Sequence, residues 1–164
     1  MRILVSAASR HGSTAEIADR IGLVLATTVP GADVTVGPPY EVDDPDLFDA
    51  FVLGSAVYMG HWLEPAREFV RRVDDWRGRP VWLFSSGPIG TPARPNEYPV
   101  DVGEAVAATR AREHRLFAGA LVRERLSFGE RAMTAAFRAE YGDFRDWDAI
   151  EAWARRIADA LRGR

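Results

Sequence analysis

Short β-rich apolar runs alternate along this chain with segments of helical periodicity, and that alternation restricts the fold more than any other feature. Runs suited to strands lie at Arg2–Ser6, Asp33–Val36, Ala50–Gly54, Pro80–Ser85 and Arg115–Leu121. Helical patterns lie at Ser13–Thr27, Pro65–Trp76, Val100–Glu113, Ser127–Glu140 and Asp146–Arg162. Strands separated by helices imply parallel pairing through right-handed crossovers. In the last helix Ile150, Trp153, Ala154, Ile157 and Leu161 recur at helical spacing and form one apolar stripe. Asp146 is placed to cap it, and Pro65 suits the first position of the second helix. The connection GPPYEVDDPDLFDA is too short and too proline-rich for an ordinary helix. Its acids Asp43, Asp44, Asp46 and Asp49 read as a solvated loop, with a docking face for a basic partner as the sharper alternative.

At 164 residues the chain suits one domain, and 47% hydrophobic content is enough for a proper core. The net charge of -3 argues weakly against nucleic acid as the main partner. All 21 basic residues are Arg, so a Lys-dependent phosphate loop and Schiff-base chemistry are excluded. Cysteine is absent, which removes disulfides, thiol nucleophiles and thiolate metal sites. Any redox work then falls to a bound cofactor. A cytoplasmic location is the simplest expectation. No apolar run approaches the ~18 residues of a membrane span. The short run after Arg2 reads as a buried strand rather than a signal peptide, because a capped helix follows at once.

In an open parallel sheet, ligands bind outside the carboxyl ends of the strands, where the strand order switches. Three segments would open there: SRHGST, SAVYMGHW and SGPIGTPARPNEYP. In the first, Ser13-Thr14-Ala15-Glu16 has the form of a capping box, with Ser13 as cap and Glu16 reaching back. The box leaves the clustering of Ser9, Gly12 and Thr14 unexplained; hydroxyls and free N–H groups at a helix start form a phosphate nest. Arg10 either adds charge there or lies in solvent. In the second segment Tyr58, Met59, His61 and Trp62 offer a face for a flat ligand, or else ordinary packing on the next helix. His61 is a candidate hydrogen-bond donor. In the third, Gly87 and Gly90 would let backbone N–H groups approach a ligand, with Tyr98 either a second aromatic wall or a helix-entry residue. One phosphate cradle and two loops around a flat group describe FMN.

The segments ILVSAASRHGSTAEIADRI, DAFVLGSAVYMGHW and VWLFSSGPIG resemble the three FMN-contacting segments of the flavodoxin superfamily. RLFAGAL, the late DFRDWDAIEAWARRIADAL and the Gly60-His61 pair resemble its menaquinone-dependent protoporphyrinogen IX dehydrogenase branch. The resemblance covers nearly the whole chain. It implies an α/β flavodoxin-like doubly wound sandwich: a five-stranded parallel sheet in order 2-1-3-4-5 with helices on both faces, residues 1–164 forming a single domain. By the same resemblance, Ser9, Arg10, His11, Gly12, Ser13 and Thr14 form the phosphate loop, His11 standing where the family commonly has Thr. Ser55, Ala56, Val57, Tyr58, Met59 and Gly60 would flank the flavin ring. Ser86, Gly87 and Gly90 would cover its pyrimidine edge with backbone donors. No catalytic acid or base carries over; the flavin does the chemistry and the protein orients it.

Residues 122–145 resemble the insert of long-chain flavodoxins and of the dehydrogenase branch, where it is linked to substrate and quinone contact. Here Met133 and Phe137 are four apart and share a helix face. That face either packs on the sheet edge or walls a pocket for a flat apolar substrate or quinone. The insert's arginines are nearly balanced by its acids, which weakens attraction to a membrane while leaving peripheral contact open. The expected activity is FMN-dependent oxidation of a protoporphyrinogen-like substrate with a quinone acceptor, as in heme biosynthesis. The alternative is a non-catalytic shuttle of electrons between redox partner proteins. A phospho-receiver needs acids and a Lys where the chain has SAAS, SAVY and ALVRER. A serine hydrolase lacks its G-x-S-x-G elbow. His11, His61 and His114 have no metal-ligand spacing, so no metal is expected.

Overall fold

A computed structural model describes residues 1–73, 75–76, 78–87, 99–136 and 140–163. In chain order the elements are β1 (Arg2–Ala8), α1 (Ser13–Thr28), β2 (Asp33–Gly37), β3 (Ala50–Tyr58), β4 (His61–Trp62), α2 (Glu64–Arg72), β5 (Val81–Ser86), α3 (Val102–Thr109), β6 (Glu113–Phe117), β7 (Ala120–Leu121), α4 (Phe128–Ala136), β8 (Gly142–Asp143) and α5 (Trp147–Arg162). Single 3-10 turns stand at Pro39–Glu41 and Pro45–Leu47, in the proline-rich connection, and at Arg123–Arg125.

The main sheet runs β2-β1-β3-β5-β6, every pair in that path parallel. It is the flavodoxin-like order, with one addition. The short β4 folds back antiparallel on the end of β3 through a two-residue turn, Met59-Gly60, both at positive φ (50° and 80°). Two central residues at positive φ give the turn whose twist matches a hairpin.

Side-chain alternation along β1 feeds two cores. Ile3, Val5 and Ala7 join Trp82 and Phe84 under α1 and α5, while Leu4 and Ala8 join Phe51, Leu53 and Leu83 under α2 and α3. The α5 stripe is fully buried, and Asp146 caps that helix by accepting from Ala149 N–H. At Gly54 the sheet has room only for hydrogen, since a Cβ there would lie 2.2 Å from the Phe84 ring.

Several boundaries differ from expectation. α2 begins at Glu64, with Pro65 second, and stops at Arg72 rather than Trp76. Val73 turns extended, which lets Trp76 pack edge-on against Phe51 at 5.2 Å. α3 stops at Thr109 rather than Glu113, because Arg110 adopts the left-handed conformation and closes on Val106 O. Glu113 is thereby released to pair beside Trp82 as the start of β6. The expected strand Arg115–Leu121 is broken after Phe117. Gly119 passes close to Ser86 and Gly87, and the chain leaves the sheet as β7, which pairs with β8. No helix among the described residues is long and apolar enough to cross a membrane.

Candidate functional site

The carboxyl ends of β1, β3 and β5 open into one cleft of about 570 Å³. From the expected residues, Ser9, Arg10, His11, Ser13, Thr14, Ala56, Val57, Tyr58, Met59, Gly60, Ser86 and Gly87 line it.

The start of α1 forms part of its lining. Gly12 is the residue before the helix, in left-handed conformation (φ 87°), and contributes no side-chain cap. The capping box is not formed. Ser13 Oγ accepts from Ala120 N–H at 3.0 Å, and Glu16 turns outward to Arg145 and Arg125 at 2.6 and 2.8 Å. The first helical bond runs from Glu16 N–H to Gly12 O, so the N–H groups of Ser13, Thr14 and Ala15 have no acceptor within the helix. Ser9 Oγ accepts from Gly12 N–H. With their oxygens already accepting backbone N–H groups, the Ser9 and Ser13 hydroxyls keep their protons to donate. Donors of this kind at a helix start suit an anion.

Tyr58, half buried, also lines the cleft, with Arg10 stacked over its ring at 5.0 Å. Burial, reinforced by Glu130, pushes the Tyr58 phenol above its ordinary pKa of 10.0, against the opposing Arg10 charge. Met59 stands at the cleft's lip, 91% exposed.

Among the described residues expected to contact a ligand, Gly12, Ser55, His61 and Trp62 are absent from the lining. Ser55 is fully buried and accepts from Leu63 N–H, which locks the return of the chain after β4. His61 is turned to Asp101, 3.1 Å from the carboxylate, and is absent from the lining. Trp62 is core rather than a ligand wall, its Nε1–H donating to Ser85 Oγ at 2.7 Å. Gly87 lines the cleft, but its N–H is already given to Phe117 O at 3.0 Å, so it is not available as a donor to a ligand. Gly90, Tyr98 and Phe137 lie outside the described residues.

Leu121 and residues of the segment 122–145, the expected insert, supply the remaining wall. Leu121, Val122, Leu126 and Met133 bring apolar surface, and Arg125, Glu130 and Thr134 bring polar groups. None of the described residues of α4 is buried, so the helix covers the cleft rather than packing into the core. Arg145, only 7% exposed, clamps the insert to the first helix through Asp143, Glu16 and Ser13 O. Arg125 and Glu130 were not among the expected ligand contacts. Their one signal was position within an insert whose charges are nearly balanced. Glu130 meets Ser127 in a capping box of its own, accepting from Ser127 N–H at 2.8 Å. That N–H, with the Ser127 hydroxyl and His11, holds the Glu130 carboxyl down at about 2.

A family model described as a flavodoxin domain matches residues 4–148. The chain belongs to the flavodoxin domain family. Its fold is shared with a flavodoxin from the domain Archaea (18% identity, 99% of both chains, TM-score 0.65) and with oxidised flavodoxin 2 from Bacillus cereus (22% identity, 99% of both chains, TM-score 0.65). Rubredoxin oxygen:oxidoreductase from Desulfovibrio gigas also contains this fold (13% identity, 99% of this chain and 36% of that one, TM-score 0.65). No curated protein is a significant sequence match. Membership of the flavodoxin family implies FMN as the cofactor. The uncapped start of α1, with its donor hydroxyls, and the Tyr58 wall fit the phosphate and the ring of such a molecule.

Proposed function

We propose that this flavodoxin-family chain is an FMN-dependent oxidoreductase acting on a flat apolar substrate of the protoporphyrinogen IX type, with a quinone as electron acceptor. The observation that carries this reading is the insert wall: Leu121, Val122, Leu126 and Met133 extend the cleft beyond the three loops with apolar surface. FMN, when bound, supplies the hydride and electron chemistry. The chain's own part is to hold and to exclude. Ser9, Ser13, Thr14 and the first N–H groups of α1 would hold the phosphate. Val57 and Tyr58 would flank the ring, and the insert would keep water from the substrate side. No side chain is assigned as acid or base.

A shuttle between redox proteins is the second reading. It is favoured by Met59 and Phe128, 91% and 88% exposed, which offer apolar contact to a docking protein. The deciding experiment is anaerobic mixing of the FMN-loaded protein with protoporphyrinogen IX and a soluble menaquinone analogue, followed by porphyrin fluorescence. Turnover that is lost on deleting the insert, with FMN still bound, is the expected outcome. An FMN-loaded protein without turnover, but with fast electron exchange with a reductase or ferredoxin, overturns the enzyme reading in favour of the shuttle.

A further inference from the structure

The phosphate loop carries two side chains that can be cationic, and both are already engaged by a carboxylate. Glu130 Oε1, from α4, lies 3.1 Å from Arg10 Nε and 2.9 Å from His11 Nε2. It reaches them from across the cleft, which it lines together with Ser9, Ser13 and Thr14. The same Arg10 stacks on Tyr58, so one carboxylate also steadies the cation that covers the ring's face. The third cation of the lining, Arg125, is paired with Glu16.

We propose that Glu130 is a built-in occupant of the anion end of the cleft, and that a ligand's phosphate must take Arg10 and His11 from it in order to bind. This rests on the FMN reading. A phosphate and a carboxylate brought to the same two side chains repel one another, because both would stand within hydrogen-bond distance of the same groups. Arrival of the phosphate therefore releases α4 from the loop. It also draws Arg10 towards the phosphate and off Tyr58, so the ring's place opens as the phosphate's place fills. Glu130 thereby sets the affinity for phosphorylated over unphosphorylated flavin and couples cofactor loading to the position of the insert.

Glu130→Gln tests this cleanly. Glutamine serves the Ser127 capping box as well as glutamate does, so α4 is retained while the charge is removed. Titration of FMN and riboflavin, read by quenching of flavin fluorescence, should show the variant binding FMN about tenfold more tightly, with riboflavin changed by less than about twofold. Wild-type His11 ring signals in NMR should shift when inorganic phosphate is added, as Glu130 is displaced. Unchanged or weaker FMN binding by the variant overturns the proposal and leaves the FMN reading intact. So does equal tightening for both flavins, or a His11 ring that does not respond to phosphate. If neither protein binds FMN, the FMN reading fails and this proposal with it.

Discussion

Thr14 occupies the second position of α1, is 2% exposed and lines the cleft. Its replacement by alanine should weaken FMN by about 1.5–3 kcal/mol, the worth of a hydrogen bond to a charged group. Riboflavin, which has no phosphate, should be nearly unaffected; isothermal titration of both ligands decides it. Equal losses would place Thr14 away from the phosphate. At this scale the sequence was readable for the position of Ser9, Ser13 and Thr14 in the cleft lining, because a strand followed by a small polar loop and a helix start leaves few geometries open. It misled for Glu16, and for the role of Ser13 as a cap. The pattern Ser-x-x-Glu satisfies a local rule, but both side chains are taken by partners more than 100 residues away: Ala120 for Ser13, Arg125 and Arg145 for Glu16. A local pattern has no means of showing such competition. The N–H of Gly87 was lost in the same way, to Phe117 O on the neighbouring strand.

Residues of the segment 122–145 wall part of the cleft, and Arg145 anchors this segment. That guanidinium bonds Asp143 and Glu16, donates to Ser13 O and stacks on Trp147 at 4.5 Å. Arg145→Ala should cost about 1–3 kcal/mol. Breaking a buried pair would cost more, but the Glu16 end is 40% exposed and partly screened. Urea unfolding measures the loss. Limited proteolysis should show cleavage within residues 122–143 well before the sheet is cut, and an unchanged digestion pattern would mean that other contacts hold the insert. The presence of each helix could be read from its periodicity, whereas several ends could not. α3 is closed by a non-glycine residue in the left-handed conformation, Arg110, and α2 gives way so that Trp76 can reach Phe51. Both are decided by tertiary packing, which overrides a continuing helical pattern.

At the scale of the whole molecule parallel pairing was recoverable because alternation of strand and helix admits few topologies, whereas the strand order came only with the resemblance to flavodoxins. The β4 hairpin was not, since two residues carry no periodicity. Stability of the whole should respond to pH through His114, which burial holds down at about 4, with Nε2 against Ser85 Oγ at 2.9 Å. Its ordinary value is 6.5, so between 6.5 and about 4 the unfolded chain binds a proton that the native state does not. The contribution is therefore complete above 6.5 and is lost as the pH falls towards 4. Glu130, ordinarily 4.5 and here about 2, acts in a lower window, and its contribution goes as the pH falls from 4.5 to 2. Urea midpoints at pH 7.5 and 5 should differ in the wild type and differ less in His114→Asn; an equal drop in both would assign it elsewhere. The two cores also set an order of assembly. β1 and α1, first in the order of elements, are roofed by Trp153, Ile157 and Leu161 of α5. Until α5 has emerged during translation, the inner face of the first helix stays partly uncovered. A nascent chain halted within the insert should therefore be a good substrate for chaperones that bind apolar surface, although all of its parallel strands would already have been made.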